Sequence, residues 1–121
     1  MAKKVLVVDD SASMRQMIAF TLTRAGYDVA QAIHGKDGLV QLAKHQPQLI
    51  ISDLNMPEMD GLEFIRQLRT LPDSRLTPVL MLTTESDATK KQEGKSAGAT
   101  GWLVKPFQPE QLLQVIARVL P

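Results

Sequence analysis

The 121-residue sequence contains no cysteine, which excludes thiol catalysis, thiolate metal sites and disulfide staples. That absence fits a reducing cytoplasm. An excess of either charge is lacking too: 14 basic and 13 acidic side chains leave a net charge of +1. No basic surplus exists to drive nucleic-acid binding through phosphate contacts. The apolar runs are a few residues long, far short of the ~20 needed to span a bilayer. The opening Met1-Ala2-Lys3-Lys4 has no long apolar stretch and no small-residue cleavage site, so no signal peptide is read. Internal repeats, low-complexity segments and linkers are missing as well. The expectation is one cytoplasmic domain that binds neither membrane nor nucleic acid. A chain of this length buries roughly two-thirds of its unfolded surface and needs no staple to fold.

What is present is an alternation of short apolar runs with amphipathic stretches. Residues 5–8 form a continuous β-branched and aliphatic run, as in a strand buried on both faces. Met14, Met17, Ile18, Leu22 and Ala25 follow at helical spacing, with Ser11 or Ser13 as N-cap and Gly26 as stop. Residues 28–32 read as a weaker strand towards an edge. Leu39, Leu42 and Ala43 mark a second helix, ended by Pro47. Residues 49–52 form the third strand, followed by a loop through Asn55, Met56, Pro57, Glu58 and Met59. Asp60 and Glu63 make a capping-box pattern before a helix with Leu62, Ile65 and Leu68 on one face. Residues 78–82 are the fourth strand, 87–97 a polar helix ended by Gly98, and 102–104 the fifth strand. Pro109 opens the last helix, whose apolar face is Leu112, Leu113, Ile116, Ala117 and Leu120. Five βα units in series imply an α/β fold: a doubly wound parallel sheet with right-handed crossovers and helices on both faces. Two doubly wound strand orders suit five units, and 2-1-3-4-5 places the switch point between strands 1 and 3.

Ligands of such sheets bind beyond the carboxyl ends of the strands. Those ends carry Asp9 and Asp10 after strand 1, Asp53 after strand 3, Thr83 after strand 4 and Lys105 after strand 5. A strand often exits into a polar loop, but four such residues together are a specific arrangement. Three carboxylates in one crevice repel each other, so either one keeps its proton or a cation sits among them. All-oxygen donors favour Mg²⁺ over zinc or copper, and Mg²⁺ held by few carboxylates usually shares a phosphate oxygen. The implied chemistry is phosphoryl transfer to a carboxylate nucleophile, assisted by the metal and a lysine.

The set Asp9-Asp10, Asp53, Thr83-Thr84 and Lys105-Pro106-Phe107 resembles the receiver domain of two-component response regulators. The likeness covers essentially the whole chain. Residues 8–15 and 98–107 resemble more narrowly the chemotaxis regulators of the CheY type, themselves an example of the 2-1-3-4-5 order. The resemblance implies a flavodoxin/CheY-like fold and a single receiver over residues 1–121 with no output domain, signalling as a monomer through protein–protein contact. It implies Asp53 as phosphoacceptor. Asp10, Asp53 and the Asn55 carbonyl would ligate Mg²⁺, with Asp9 acting through a metal-bound water. Lys105 and Thr83 would meet the phosphoryl oxygens, and the Lys105–Pro106 bond would be cis. A histidine kinase would be the donor, a flagellar motor switch protein the target, and a phosphatase a further candidate partner. The domain would not be an enzyme, although it assists its own phosphorylation and dephosphorylation.

Trp102 stands where many such domains carry Tyr or Phe as a rotating aromatic. An indole is larger than a phenol and has a donor but no acceptor, so the alternative is a Trp packed on the core. Asn55 and Glu85 would flank the line of water attack and set the phosphoryl lifetime. Lys90, Lys91 and Lys95 read as a solvated helix face or, as the resemblance implies, as part of a docking surface of the fourth helix, fifth strand and fifth helix. Met56 and Met59 are expected to tuck under their loop, and His34 and His45 receive no role. Rival readings are a stand-alone receiver outside chemotaxis, a receiver that only scaffolds, an aspartate-nucleophile phosphatase and a flavodoxin-like carrier. The acid pair would repel a flavin phosphate, and its adjacency does not suit the phosphatase pattern.

Overall fold

A computed structural model describes residues 2–84 and 88–120, without the side chains of residues 88–90. Five strands, β1 (Lys4–Val8), β2 (Asp28–Ala32), β3 (Leu49–Asp53), β4 (Val79–Thr83) and β5 (Gly101–Val104), pair in parallel in the order β2-β1-β3-β4-β5. Between and after them run α1 (Ala12–Arg24), α2 (Gly35–His45), α3 (Gly61–Arg69), α4 (Ala88–Ala97) and α5 (Pro109–Val119). The doubly wound 2-1-3-4-5 expectation is met. No helix among the described residues is long and apolar enough to cross a membrane.

The continuous apolar runs have a direct cause. Alternate residues of the inner strands face opposite layers, and both layers are dry. Leu6, Val8, Ile50, Val79 and Met81 join Leu42, Phe64, Ile65 and Leu68 on the α2–α3 side. Val5, Val7, Leu49, Ile51, Leu80 and Leu82 join Ile18, Leu22, Leu112 and Ile116 on the α1–α5 side. The edge strand β2 alternates instead, with Asp28 and Gln31 exposed and Ala30 and Ala32 buried. Met59 is buried and Met56 partly so, both beneath their loop.

The helix ends explain themselves locally. Ser11 caps α1 by accepting from the Met14 N–H at 3.3 Å. Gln108 N–H donates to the Gln111 side chain at 2.8 Å as α5 begins. Three expectations are corrected. The capping box of α3 is half made: Asp60 accepts from the Glu63 N–H at 2.9 Å, but the exposed Glu63 carboxylate accepts from Gln67, one turn on. Ala43 and Ala117 are exposed, because their helices bury a narrower stripe than the apolar pattern suggested. His34 is the N-cap of α2: its Nδ1 accepts from the Asp37 N–H at 3.1 Å, and Asp37 accepts from the Ile33 N–H at 3.0 Å. Of the predicted fourth helix, Asp87 lies outside the described residues.

One side chain ties the α3–β4 connection to the end of α4. Arg69, in the last turn of α3, donates to the carbonyls of Ser74 (2.9 Å), Thr77 (2.6 Å) and Gly98 (2.7 Å). Burial disfavours its charge and lowers its pKa, so the carbonyl dipoles supply what solvation it loses. Arg69→Met is expected to lower stability by about 2–3 kcal/mol, the scale of hydrogen bonds to a charged group left unmade. Arg69→Lys, lacking the planar fork, recovers only part of that loss. Urea melts of the three proteins measure both effects.

Candidate functional site

The parallel sheet delivers one polar residue after another to a single crevice. Asp53 and Thr83 are the last residues of β3 and β4, and Asp9 and Lys105 lie one step beyond β1 and β5. Backbone bonds hold these ends in register: Asp9 N–H to Ala32 at 3.2 Å, Leu54 N–H to Leu82 at 2.8 Å, and Lys105 N–H to Thr83 at 2.6 Å. The Lys105–Pro106 bond is cis. Gly61, the first residue of α3, sits so close to β3 that a Cβ there would lie 2.5 Å from the Asp53 carbonyl oxygen. Only glycine permits that approach, and α3 thereby backs directly onto Asp53.

Asp9 is fully buried, Asp53 nearly so, and Asp10 is exposed at the mouth. Carboxylate oxygens of all three lie within 4.8 Å of one another. The Lys105 ammonium stands 3.1 Å from Asp53 Oδ1 and 3.5 Å from Asp9 Oδ2. Burial pushes the Asp53 pKa above the ordinary carboxylate value; Lys105 pulls it back, and Asp9 and Asp10 push it up again. Three carboxylates against one ammonium leave the crevice net negative, and its donors are hard oxygens. That set fits a divalent cation of the Mg²⁺ kind, with Asp9, Asp10 and Asp53 as the residues to hold it.

The remaining predicted residues take these places. Thr83 is fully buried at the end of β4. Asn55 is exposed on the loop two residues past Asp53. Glu85 lies outside the described residues. Trp102 is partly buried on β5 and packs against the α2–α3 side of the core. Its ring lies over Gly94 of α4, where a Cβ would be 2.5 Å from Cζ3. Its Nε1 is buried with no hydrogen-bond partner among the described residues. Beside it, Lys91, Gln92, Lys95 and Thr100 line a shallow cavity of about 300 Å³. Lys91 and Lys95 are exposed.

One residue near the site escaped the sequence reading. Arg15, in the first turn of α1, donates from Nη1 to the Asp9 carbonyl at 2.8 Å and from Nε to Gln31 at 3.2 Å. The available signal was an arginine in the first turn of the helix that follows the acid pair.

Residues 5–117 match the family described as response regulator receiver domain. The chain is 40% identical over 119 residues to the chemotaxis protein CheY homolog of Campylobacter jejuni, covering 97% of this chain and 92% of that protein. It is likewise 40% identical to chemotaxis protein CheY1 of Helicobacter pylori, covering 97% and 96%. The structure of chemotaxis protein CheY4 of Vibrio cholerae superposes with a TM-score of 0.97 at 53% identity, covering 99% of this chain and all of that one.

Two measurements test this geometry. The folded state holds the Asp53 proton more tightly than the unfolded chain does. Metal-free protein therefore loses stability as pH rises from the ordinary carboxylate value through the raised one. Asp53→Asn is expected to be more stable than wild type at neutral pH, with the gap closing in acid, in denaturant melts across pH. Mg²⁺ at about a hundred times its Kd should add about 2.7 kcal/mol to wild type and less to the variant. For Trp102, Gly94→Ala should displace the indole and shift the emission of this single tryptophan. The clash, about 1–3 kcal/mol, outweighs the gain of about 1 kcal/mol in helix propensity, so the melting midpoint falls.

Proposed function

The chain belongs to the response regulator receiver family, and on that premise we propose that it is a phosphorylation-activated switch whose phosphoacceptor is Asp53. The observation that carries this reading is the Lys105 ammonium held between Asp53 and Asp9, with Asp10 at the mouth. In its ionised form an Asp53 carboxylate oxygen attacks the phosphorus of a phosphohistidine on a histidine kinase. The new O–P bond replaces the P–N bond, and the leaving imidazole takes up a proton. Lys105 offsets part of the effect of burial on the Asp53 charge and neutralises the incoming phosphoryl oxygens.

Asp10, Asp53 and the Asn55 carbonyl are proposed to hold Mg²⁺. Asp9, whose carboxylate already accepts from Ser11 N–H at 2.9 Å and faces Lys105, acts through a water. When bound, the metal offsets the charge on the transferred group and orients it. Because the phosphoryl group ends on the protein itself, the domain is a stoichiometric acceptor rather than a turnover enzyme. Thr83 is proposed to hydrogen-bond a phosphoryl oxygen, its hydroxyl being pulled inward so that space opens for Trp102 on β5. Asn55 and Glu85 are proposed to set how readily water reaches the phosphorus.

The similarity to chemotaxis proteins supports chemotaxis as the pathway, with a histidine kinase as donor and a flagellar motor switch protein as target. Its place among those relatives favours this over a receiver that serves another phosphorelay. With Mg²⁺ and a small acyl phosphate, intact-mass spectrometry should find one added phosphoryl group on wild type and none on Asp53→Asn. Chelation should suppress the reaction. Labelling of Asp53→Asn at full yield would remove Asp53 from its role.

A further inference from the structure

The geometry points to Arg15 as the positioning residue that aims the Asp10 carboxylate at the metal, an assignment that rests on the reading of the acid pair given above. Asp9 has every polar atom engaged. Its N–H donates to Ala32, its Oδ1 accepts from Ser11 N–H, its Oδ2 faces Lys105, and its carbonyl accepts from Arg15 Nη1 at 2.8 Å. The carbonyl is the informative contact. It belongs to the peptide unit joining Asp9 to Asp10, and that unit is planar. Fixing the direction of its oxygen fixes the plane in which the Asp10 N and Cα lie; with the Ser11 N–H held on Asp9 Oδ1 at 2.9 Å, the peptide on the other side of Asp10 is fixed too, and the two together confine the torsions that set where the Asp10 side chain leaves the backbone. Asp10 is the exposed member of the cluster, so packing does little to orient it.

The guanidinium is well placed for this task because it is anchored at three points. It projects from the first turn of α1, which Ser11 caps. Its Nη1 holds the loop after β1, and its Nε holds Gln31 of β2 at 3.2 Å. Gln31 is the register partner of Val7, so both grips are referred to the same pair of strands. A planar fork can serve two acceptors in fixed directions, whereas an ammonium on a flexible stem serves them poorly.

A second explanation of Arg15 predicts an effect of opposite sign. A cation beside three carboxylates also opposes a divalent metal by charge alone. Were charge its only influence, Arg15→Gln would tighten Mg²⁺ binding, and Arg15→Lys would leave it unchanged. A positioning role makes both substitutions weaken binding, by roughly ten-fold, the lower end of what loss of a ligand's supporting partner costs.

The test is isothermal titration of Mg²⁺ into wild type, Arg15→Gln, Arg15→Lys and Gln31→Leu, with metal-free melts confirming that each is folded. Expected are roughly ten-fold weaker binding in both Arg15 variants and a smaller loss in Gln31→Leu, which keeps the carbonyl contact. The Mg²⁺ concentration for half-maximal phosphorylation by an acyl phosphate should rise in parallel. Unchanged or tighter binding in Arg15→Gln, or wild-type binding in Arg15→Lys, overturns the assignment while leaving the phosphoacceptor reading intact. Wild type that binds no Mg²⁺, or Asp10→Asn that binds it equally well, overturns both.

Discussion

The structure turns on the repulsion among three carboxylates gathered at the ends of neighbouring strands. Their oxygens lie within 4.8 Å of each other, where each pair of full charges repels by about 3–4 kcal/mol at an effective dielectric of ~20. Two of the three are buried. Nothing in the apolar core requires them there, and one lysine offsets only part of the charge. The fold therefore spends stability to keep the crevice electron-rich. The strand ends around it are accordingly over-determined: each of β1, β3 and β5 is fastened to a neighbour by a backbone bond just past its last paired residue.

Much of this was legible in the chain. The strands showed themselves because both faces of the inner sheet are covered, which forces unbroken apolar runs such as residues 5–8, and because the edge strand β2 alternates. Asp9, Asp10, Asp53, Thr83 and Lys105 were legible because each lies within two residues of the end of an apolar run. What could not be read was contact over distance. Nothing local says that Arg69 reaches Gly98, 29 positions on, or that Arg15 turns back to Asp9 rather than outward to solvent. The His34 cap was missed because imidazole is an uncommon N-cap, and it can accept only while Nδ1 carries no proton. Glu63 misled in the other direction: the pattern for a capping box was present, but the same carboxylate had a helical neighbour to choose instead.

Helix α3 links these observations. Its first residue touches the Asp53 backbone through Gly61, and its last turn carries Arg69, which grips Gly98 just before β5. Trp102 lies four residues further on. Asp53 and the β5 surface are thus joined through a packed helix as well as through the Thr83–Lys105 strand pair. A helix braced at both ends transmits displacement along its axis better than it absorbs it.

The seat of Trp102 also constrains the order in which such a sequence can be assembled by single changes. With an indole at position 102, any side chain at 94 collides with the ring; with a smaller aromatic at 102, an alanine at 94 meets no Cζ3 atom. A lineage that first loses the methyl group at 94 and then enlarges the ring passes through intermediates that pack without collision. The reverse order passes through one that does not. Residue 94 is thus a permissive position, whose identity decides which aromatic the neighbouring strand can carry.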